Sequence, residues 1–137
     1  MAEGIRLRAA VMFVRDLEAS VAFYRELLDL EVLDRSPTAA LLGSADGSQL
    51  TLRAFGENAG RPLGSIGVQY VSWSTGSRAD LDRRAEILRQ HSAYRETRTD
   101  EDVAVVEGRD PDDIPIMIIY AGDKWPTRKL PPRIYAW

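Results

Sequence analysis

A plan of one apolar strand, a polar corner, an amphipathic helix and three short extended segments occurs twice in the 137 residues, the copies lying about sixty residues apart. Repetition of so long a unit requires two similar modules, and this removes most other architectures from consideration. In the first copy residues 7–16 read as an apolar strand running into an acidic corner. Leu17–Leu28 follows as a helix with Leu17, Val21, Tyr24, Leu27 and Leu28 at helical spacing and Asp16 in capping position. Tyr24 belongs to the core or to an interface on this reading, not to a catalytic site. In the second copy residues 65–74 give the strand, Gly76 and Ser77 the corner, and Arg78–Gln90 the helix.

Three extended segments follow each helix: Glu31–Arg35, 38–42 and Gln49–Ala54 in the first module, and 94–97, 103–107 and Pro115–Tyr120 in the second. Turn-forming runs separate them, namely Ser36-Pro37, Ala45-Asp46-Gly47-Ser48, Thr99-Asp100 and Asp110-Pro111-Asp112-Asp113. Each module is therefore βαβββ. Module one covers about residues 5–58 and module two about 64–121, within a single domain over 1–137 that ends in a Pro-rich aromatic tail, 122–137.

Two stretches carry a family resemblance. The first is Phe13-Val14-Arg15-Asp16-Leu17-Glu18-Ala19-Ser20-Val21-Ala22-Phe23-Tyr24-Arg25, with Leu27-Leu28-Asp29-Leu30-Glu31-Val32 downstream. The second is Gly67-Val68-Gln69-Tyr70-Val71-Ser72-Trp73 together with Asp110-Pro111-Asp112. Over roughly residues 5–121 the sequence resembles the vicinal oxygen chelate superfamily, the group of glyoxalase I, bleomycin-resistance proteins and extradiol dioxygenases. The resemblance implies an α+β fold in which two βαβββ modules form a curved mixed sheet around a central cleft. It also implies a homodimer.

Metal-dependent relatives place a His seven residues before the corner Asp, and here that position is Ala9. Tyr70 stands where the second His is implied. The family's two carboxylates, mid-strand in the last strand of each module, correspond to Thr51, between Leu50 and Leu52, and to Met117, seven residues after Asp110. Zinc, nickel, iron and manganese need imidazole, carboxylate or thiolate donors, and catalytic sites use about three of them. Alanine offers none, threonine and neutral tyrosine are poor ligands, and one thioether does not hold a metal alone. The chain has no cysteine, and its one histidine, His91, falls at the end of the second helix, where the helix dipole favours it. No metal and no cofactor are therefore expected. Without a metal that binds two adjacent substrate oxygens, the glyoxalase and extradiol dioxygenase readings lose their mechanism.

Side chains alternate along a strand, so the four emptied positions mark the face that turns to the cleft. From Ala9 that face continues to Val11 and Phe13; from Thr51 to Gln49 and Arg53; from Tyr70 to Val68 and Ser72; from Met117 to Pro115 and Ile119. The opposite face carries Ala10, Met12, Val14, Leu50, Leu52, Val71, Trp73, Ile116, Ile118 and Tyr120, which suit packing against the helices. Apolar walls with a few polar anchors describe a small-molecule pocket. Burying on the order of 300 Å² of apolar ligand surface gives roughly 7 kcal/mol before association costs, so stacking groups are needed for useful affinity. Trp125, Tyr135 and Trp137 in the tail are candidates, either packed on the chain's own sheet or across a dimer, or closing over the cleft.

Three functions follow. The first is a metal-independent binding protein that holds an aromatic or polyketide-like compound, for resistance or sequestration, through Ala9, Val11, Phe13, Gln49, Thr51, Arg53, Val68, Tyr70, Ser72, Met117, Ile119 and Trp125. The second is a metal-free isomerase, cyclase or lyase of a biosynthetic pathway with Tyr70 as general acid or base and Arg53 lowering its pKa and steadying an enolate. The third is a partner protein that uses its aromatic tail to assemble. A net charge of −3 argues against a nucleic-acid surface, and Arg128, Lys129 and Arg133 alone would give only weak phosphate binding. The acidic run at Asp110, Asp112 and Asp113 lacks the later ligands of a calcium loop and reads as a turn. No apolar run reaches membrane-spanning length, and no cysteine is present, so a cytoplasmic protein is expected. Lysine only at 124 and 129 among many arginines hints at a GC-rich bacterial genome.

Overall fold

A computed structural model describes residues 4–56, 67–100, 103–122 and 131–136. The chain divides into two compact units, Met1–Ala59 and Gly60–Trp137, each built on its own four-stranded mixed sheet. The α+β class and the two βαβββ modules are as the sequence predicts.

In the first unit β1 (Ala9–Val14), α1 (Leu17–Leu28), β2 (Glu31–Arg35), β3 (Ala39–Gly43) and β4 (Gln49–Ala54) form a sheet of order β1-β4-β3-β2. β1 and β4 run parallel while the other pairs are antiparallel. Parallel neighbours cannot be joined by a hairpin, so the chain between them must cross over, and α1 lies against one face. That face is the one rich in leucine. Leu42, Leu50 and Leu52 are buried with Val14 and with Leu17, Val21, Phe23, Tyr24 and Leu27 of the helix. Asp16 caps α1 by accepting from the Ala19 amide at 3.1 Å. Tyr24 is core, set edge-on to Phe23 with ring centroids 5.4 Å apart.

The second unit repeats the plan with β5 (Val71–Ser74), α2 (Arg78–Gln90), β6 (Tyr94–Asp100), β7 (Val103–Arg109) and β8 (Pro115–Tyr120), in order β5-β8-β7-β6. Ile116, Ile118, Val106 and Ala104 bury one sheet face with Leu81, Ala85 and Leu88 of α2. Ser77 caps α2, accepting from the Asp80 amide at 3.0 Å. Burial pushes the Asp80 carboxyl up, but the Thr75 hydroxyl and the Arg84 and Arg83 guanidiniums outweigh it and hold it below the ordinary carboxylate value.

Both helices and β2, β4 and β8 have the bounds read from sequence. Three readings need correction. Thr99-Asp100 is not a turn: Asp100 pairs with Val103, so β6 continues through both residues. β7 runs on to Arg109, which pairs with Pro115. β5 is four residues long and starts only at Val71, because Gly67 sits at φ 141° and residues 67–70 join no ladder. Asp110 does initiate a turn, its Oδ1 accepting from the amides of Asp112 (2.8 Å) and Ile114 (2.9 Å), and Asp113 takes a left-handed φ of 66°, a conformation that favours glycine. Among the described residues no helix is long and apolar enough to cross a membrane.

The register shifts once in each module, between Val32 and Asp34 and between Tyr94 and Glu96. Nearby glycines admit close neighbours of different kinds. A Cβ on Gly43 would meet the exposed Leu33 side chain at 2.6 Å, whereas one on Gly108 would meet Leu88 at 2.6 Å and the Ala93 carbonyl oxygen at 2.9 Å. Leu33 can swing into water but the Ala93 backbone cannot yield. Gly108→Ala is therefore expected to destabilise by about 1–3 kcal/mol, and Gly43→Ala by less than about 1 kcal/mol, measured by urea unfolding; equal losses would refute the distinction.

Candidate functional site

The face of module one turned away from α1 carries the residues expected there. The parallel register sets Ala9 beside Gln49, Val11 beside Thr51 and Phe13 beside Arg53, and places Leu41 next to Thr51 on the far side. Val11 and Phe13 are 72% and 54% exposed, which is unusual for large apolar side chains at the middle of strands. Phe55 joins them: its amide donates to the Val14 carbonyl at 2.9 Å, and its ring lies 4.6 Å from that of Phe13 at a tilt of 51°. The Arg53 guanidinium sits 5.6 Å from the Phe13 ring centre. The result is an open aromatic pair with a cation beside it and the Thr51 and Gln49 side chains in the adjoining rows. Phe55 was missing from the expected set although it continues the alternation 49, 51, 53, because the strand was ended at Ala54.

Module two presents a different surface. Ser72, Met117 and Glu107 form one row across β5, β8 and β7. Met117 is only 2% exposed although it belongs to the free face, while Val68, ahead of β5, is 80% exposed and Pro115 is buried. Residues 131–136 reach the same face. A short 3-10 turn over Pro132–Tyr135 brings Arg133 to Glu107, with Nε at 2.9 Å from Oε1 and Nη2 at 3.2 Å from Oε2, a forked pair in which both side chains are buried. Arg133 Nη1 donates to the Ala136 carbonyl at 2.8 Å, and its guanidinium lies 5.7 Å from the Tyr70 ring centre. Gln69 Nε2 donates to the carbonyls of Ile134 (3.3 Å) and Ala136 (2.9 Å). Because Gln69 and Tyr70 lead into β5 while Glu107 lies on β7, a segment bound to both crosses β8 between them. This segment is a strap over Met117.

Glu107 also draws Arg98 Nη2 to 3.6 Å and Arg109 Nη2 to 3.7 Å, so three guanidiniums face one carboxylate. Neither Glu107 nor Arg133 is among the residues the sequence points to, because Glu107 lies on the inner strand β7 and its partner arrives from 26 residues downstream. Of the three tail aromatics, Tyr135 is 77% exposed and anchors nothing, and among the described residues Arg133 makes the anchor. Trp125 and Trp137 lie outside the described residues.

The four implied ligand positions do not suit a catalytic metal. Ala9 and Thr51 lie on the open face of module one, Tyr70 has the Arg133 cation over its ring, and Met117 is buried. Glu107, the carboxylate opposite Met117, has both oxygens engaged by Arg133. Among the described residues no three His, Cys, Asp or Glu side chains gather where they could hold a metal ion. His91 caps the end of α2 as expected, on the surface. Such a donor set does not fit the zinc, iron, nickel or manganese of the metal-dependent relatives.

The profile of the Glyoxalase/Bleomycin resistance protein/Dioxygenase superfamily matches residues 6–118. The chain belongs to this superfamily. A glyoxylase/bleomycin resistance protein/dioxygenase domain from Frankia sp. EAN1pec superposes with a TM-score of 0.73 at 25% identity, covering 88% of this chain and 99% of that one. A lactoylglutathione lyase from Agrobacterium tumefaciens gives 0.70 at 18% identity over 91% and 99%. The fosfomycin resistance protein FosX from Mesorhizobium loti gives 0.65 at 20% identity over 88% and 93%. Comparison with curated protein sequences gives no significant match. A lyase and a resistance protein of known structure thus share this fold.

Removing either partner of the strap's ion pair has unequal consequences. Glu107→Ala takes the shared carboxylate from Arg133 and also from Arg98 and Arg109, which stay on the sheet, and is expected to destabilise by about 3 kcal/mol. Arg133→Ala leaves Glu107 with Arg98 and Arg109, so roughly half that loss is expected. Urea unfolding of the two variants measures the difference; equal losses would show that Arg98 and Arg109 do not share the charge.

Proposed function

We propose that this superfamily member is a metal-independent small-molecule binding protein that holds an aromatic or polyketide-like compound, serving resistance or sequestration. The observation that carries the reading is the exposed Phe13–Phe55 pair with Arg53 beside it, on the same sheet face as Val11, Thr51 and Gln49. Ring faces at this spacing accept a further aromatic ring by offset or edge contact, each worth about 1 kcal/mol beyond area burial. Arg53 supplies a cation for a phenolate, carboxylate or carbonyl oxygen of the same compound, and Thr51 and Gln49 supply hydrogen bonds. Ala9 leaves room beside Gln49 that an imidazole would fill. Val68, Tyr70, Ser72 and Ile119 are taken as contacts on the module-two face by itself, where Met117 is buried.

The pair that a metal-free isomerase, cyclase or lyase would use is Tyr70 and Arg53. Arg53 is beside the Phe13 ring, and the cation at Tyr70 lies over its ring. Those placements support holding a ligand more than transferring a proton. The protein is taken to act in the cytoplasm as a homodimer.

Calorimetric titration with a panel of aromatic natural products tests the reading. A binder is expected to lose about 1–2 kcal/mol, or roughly fivefold to thirtyfold in affinity, in each of Phe13→Ala and Arg53→Ala. The metal chelator EDTA is expected to change neither affinity nor stability. If no compound binds, or if both variants bind as the wild type does, the reading is wrong; loss of binding in EDTA would remove its metal independence.

A further inference from the structure

We propose that residues 131–136 are a displaceable internal occupant of the module-two face, and that Arg133 fills a seat for the planar cation, a guanidinium or amidinium, of a small-molecule ligand. The inference rests on the binding function above and adds a class of ligand to it.

Four observations point this way. First, Arg133 is the buried residue of the 3-10 turn, while Pro131, Pro132, Tyr135 and Ala136 are exposed. Of its apolar residues Ile134 is half-buried and the rest are exposed, so among the described residues the strap is held chiefly by the arginine and by the two Gln69 hydrogen bonds. Second, the seat has the two elements that recognise a planar cation: a carboxylate offering both oxygens to parallel N–H groups, and the aromatic ring of Tyr70 at 5.7 Å. Third, lifting the strap does not strand a charge. Arg133 passes into water, and Glu107 keeps Arg98 and Arg109 at 3.6 and 3.7 Å, with Glu96 in turn 3.4 Å from Arg98. Fourth, the corresponding place in module one is filled by Leu41, which lies opposite Thr51 as Glu107 lies opposite Met117. A structural cover over Met117 would need only an apolar residue there, since a buried ion pair stabilises no better than good apolar packing. The carboxylate is the part of this arrangement that a ligand can read.

A ligand with a flat cationic end would enter as Arg133 leaves, taking the Glu107 fork and the Tyr70 ring and uncovering Met117 for its apolar body. While the strap is seated, apparent affinity is reduced by the fraction of time the seat is filled from within.

The test titrates benzamidine, an aromatic amidinium, into the full-length protein and its Arg133→Ala and Glu107→Gln variants, with uncharged benzamide as control. Arg133→Ala is expected to bind benzamidine about tenfold or more tightly than the wild type. Benzamide is expected to show no such gain, and Glu107→Gln to lose benzamidine binding. Should Glu107→Gln fail to fold, hydrogen exchange in the wild type still decides. The amides of Ile134 and Ala136 donate to Pro131 and Arg133 carbonyls at 3.2 and 3.1 Å, and saturating benzamidine is expected to speed their exchange. Equal benzamidine affinity in wild type and Arg133→Ala, an equal gain for benzamide, or unchanged exchange at saturation would each overturn the proposal. Binding of neutral aromatics that depends on Phe13 and Arg53 reads the module-one face, so its loss or survival is scored separately.

Discussion

The parallel pairing of the first and last strands of each module is the constraint from which the remaining geometry follows. β1 lies beside β4 and β5 beside β8, in the same direction, so each helix must be carried across one face of its sheet. The face it covers takes Leu50 and Leu52 in one module and Ile116 and Ile118 in the other. Side chains alternate, and the residues between these are committed to the second face whatever their chemistry. Thr51 and Met117 occupy their positions for this reason, as do Val11 and Glu107.

One position then separates the modules. Leu41, half-buried opposite Thr51, leaves the module-one face apolar and unencumbered. Glu107, opposite Met117, is an ionised group in the middle of a sheet and costs several kcal/mol to bury unless it is paired. Three arginines answer that need: Arg98 from β6, Arg109 from its own strand and Arg133 from 26 residues downstream. The fork to Arg133 adds less stability than its shortness suggests, because both charges have given up water. Its main effect is positional. It fixes where a segment whose apolar residues are mostly exposed comes to rest, and the Gln69 amide then completes the attachment.

Much of this was legible from the residues alone. The cap at Asp16, the apolar stripe through Leu17, Val21, Tyr24 and Leu27, and the alternation of Leu50 and Leu52 with Thr51 are local signals of fixed period, and they gave helices, strands and faces directly. Signals that depend on pairing were not legible. Thr99-Asp100 has the composition of a turn but is held in strand by its partners Ala104 and Val103. The Glu107–Arg133 contact has no period and no spacing rule, since a charge is buried only when a distant opposite charge arrives. The tail's aromatics were the reasonable guess for its anchor because hydrophobicity is readable from one residue, whereas ion pairing needs two. Phe55 continues the alternation one step past the end of β4 and is tied there by the Val14 carbonyl, a pairing that the strand's own residues do not announce.

The four positions implied as ligands differ between the modules: Ala9 and Thr51 lie on an open face, whereas Tyr70 has the Arg133 cation over its ring and Met117 is buried. Such residues also set a different kind of selectivity. A metal selects for two adjacent oxygens by short directional bonds, whereas aromatic contacts worth about 1 kcal/mol each accept many ring systems at similar cost. Discrimination on such a surface has to come from the few charged groups beside it, and the groups with fixed positions are Arg53 next to Phe13 and the Glu107 carboxylate beneath Arg133. Each face taken by itself thus offers one charge by which aromatic compounds can be sorted: a cation beside Phe13 in module one and a carboxylate in module two.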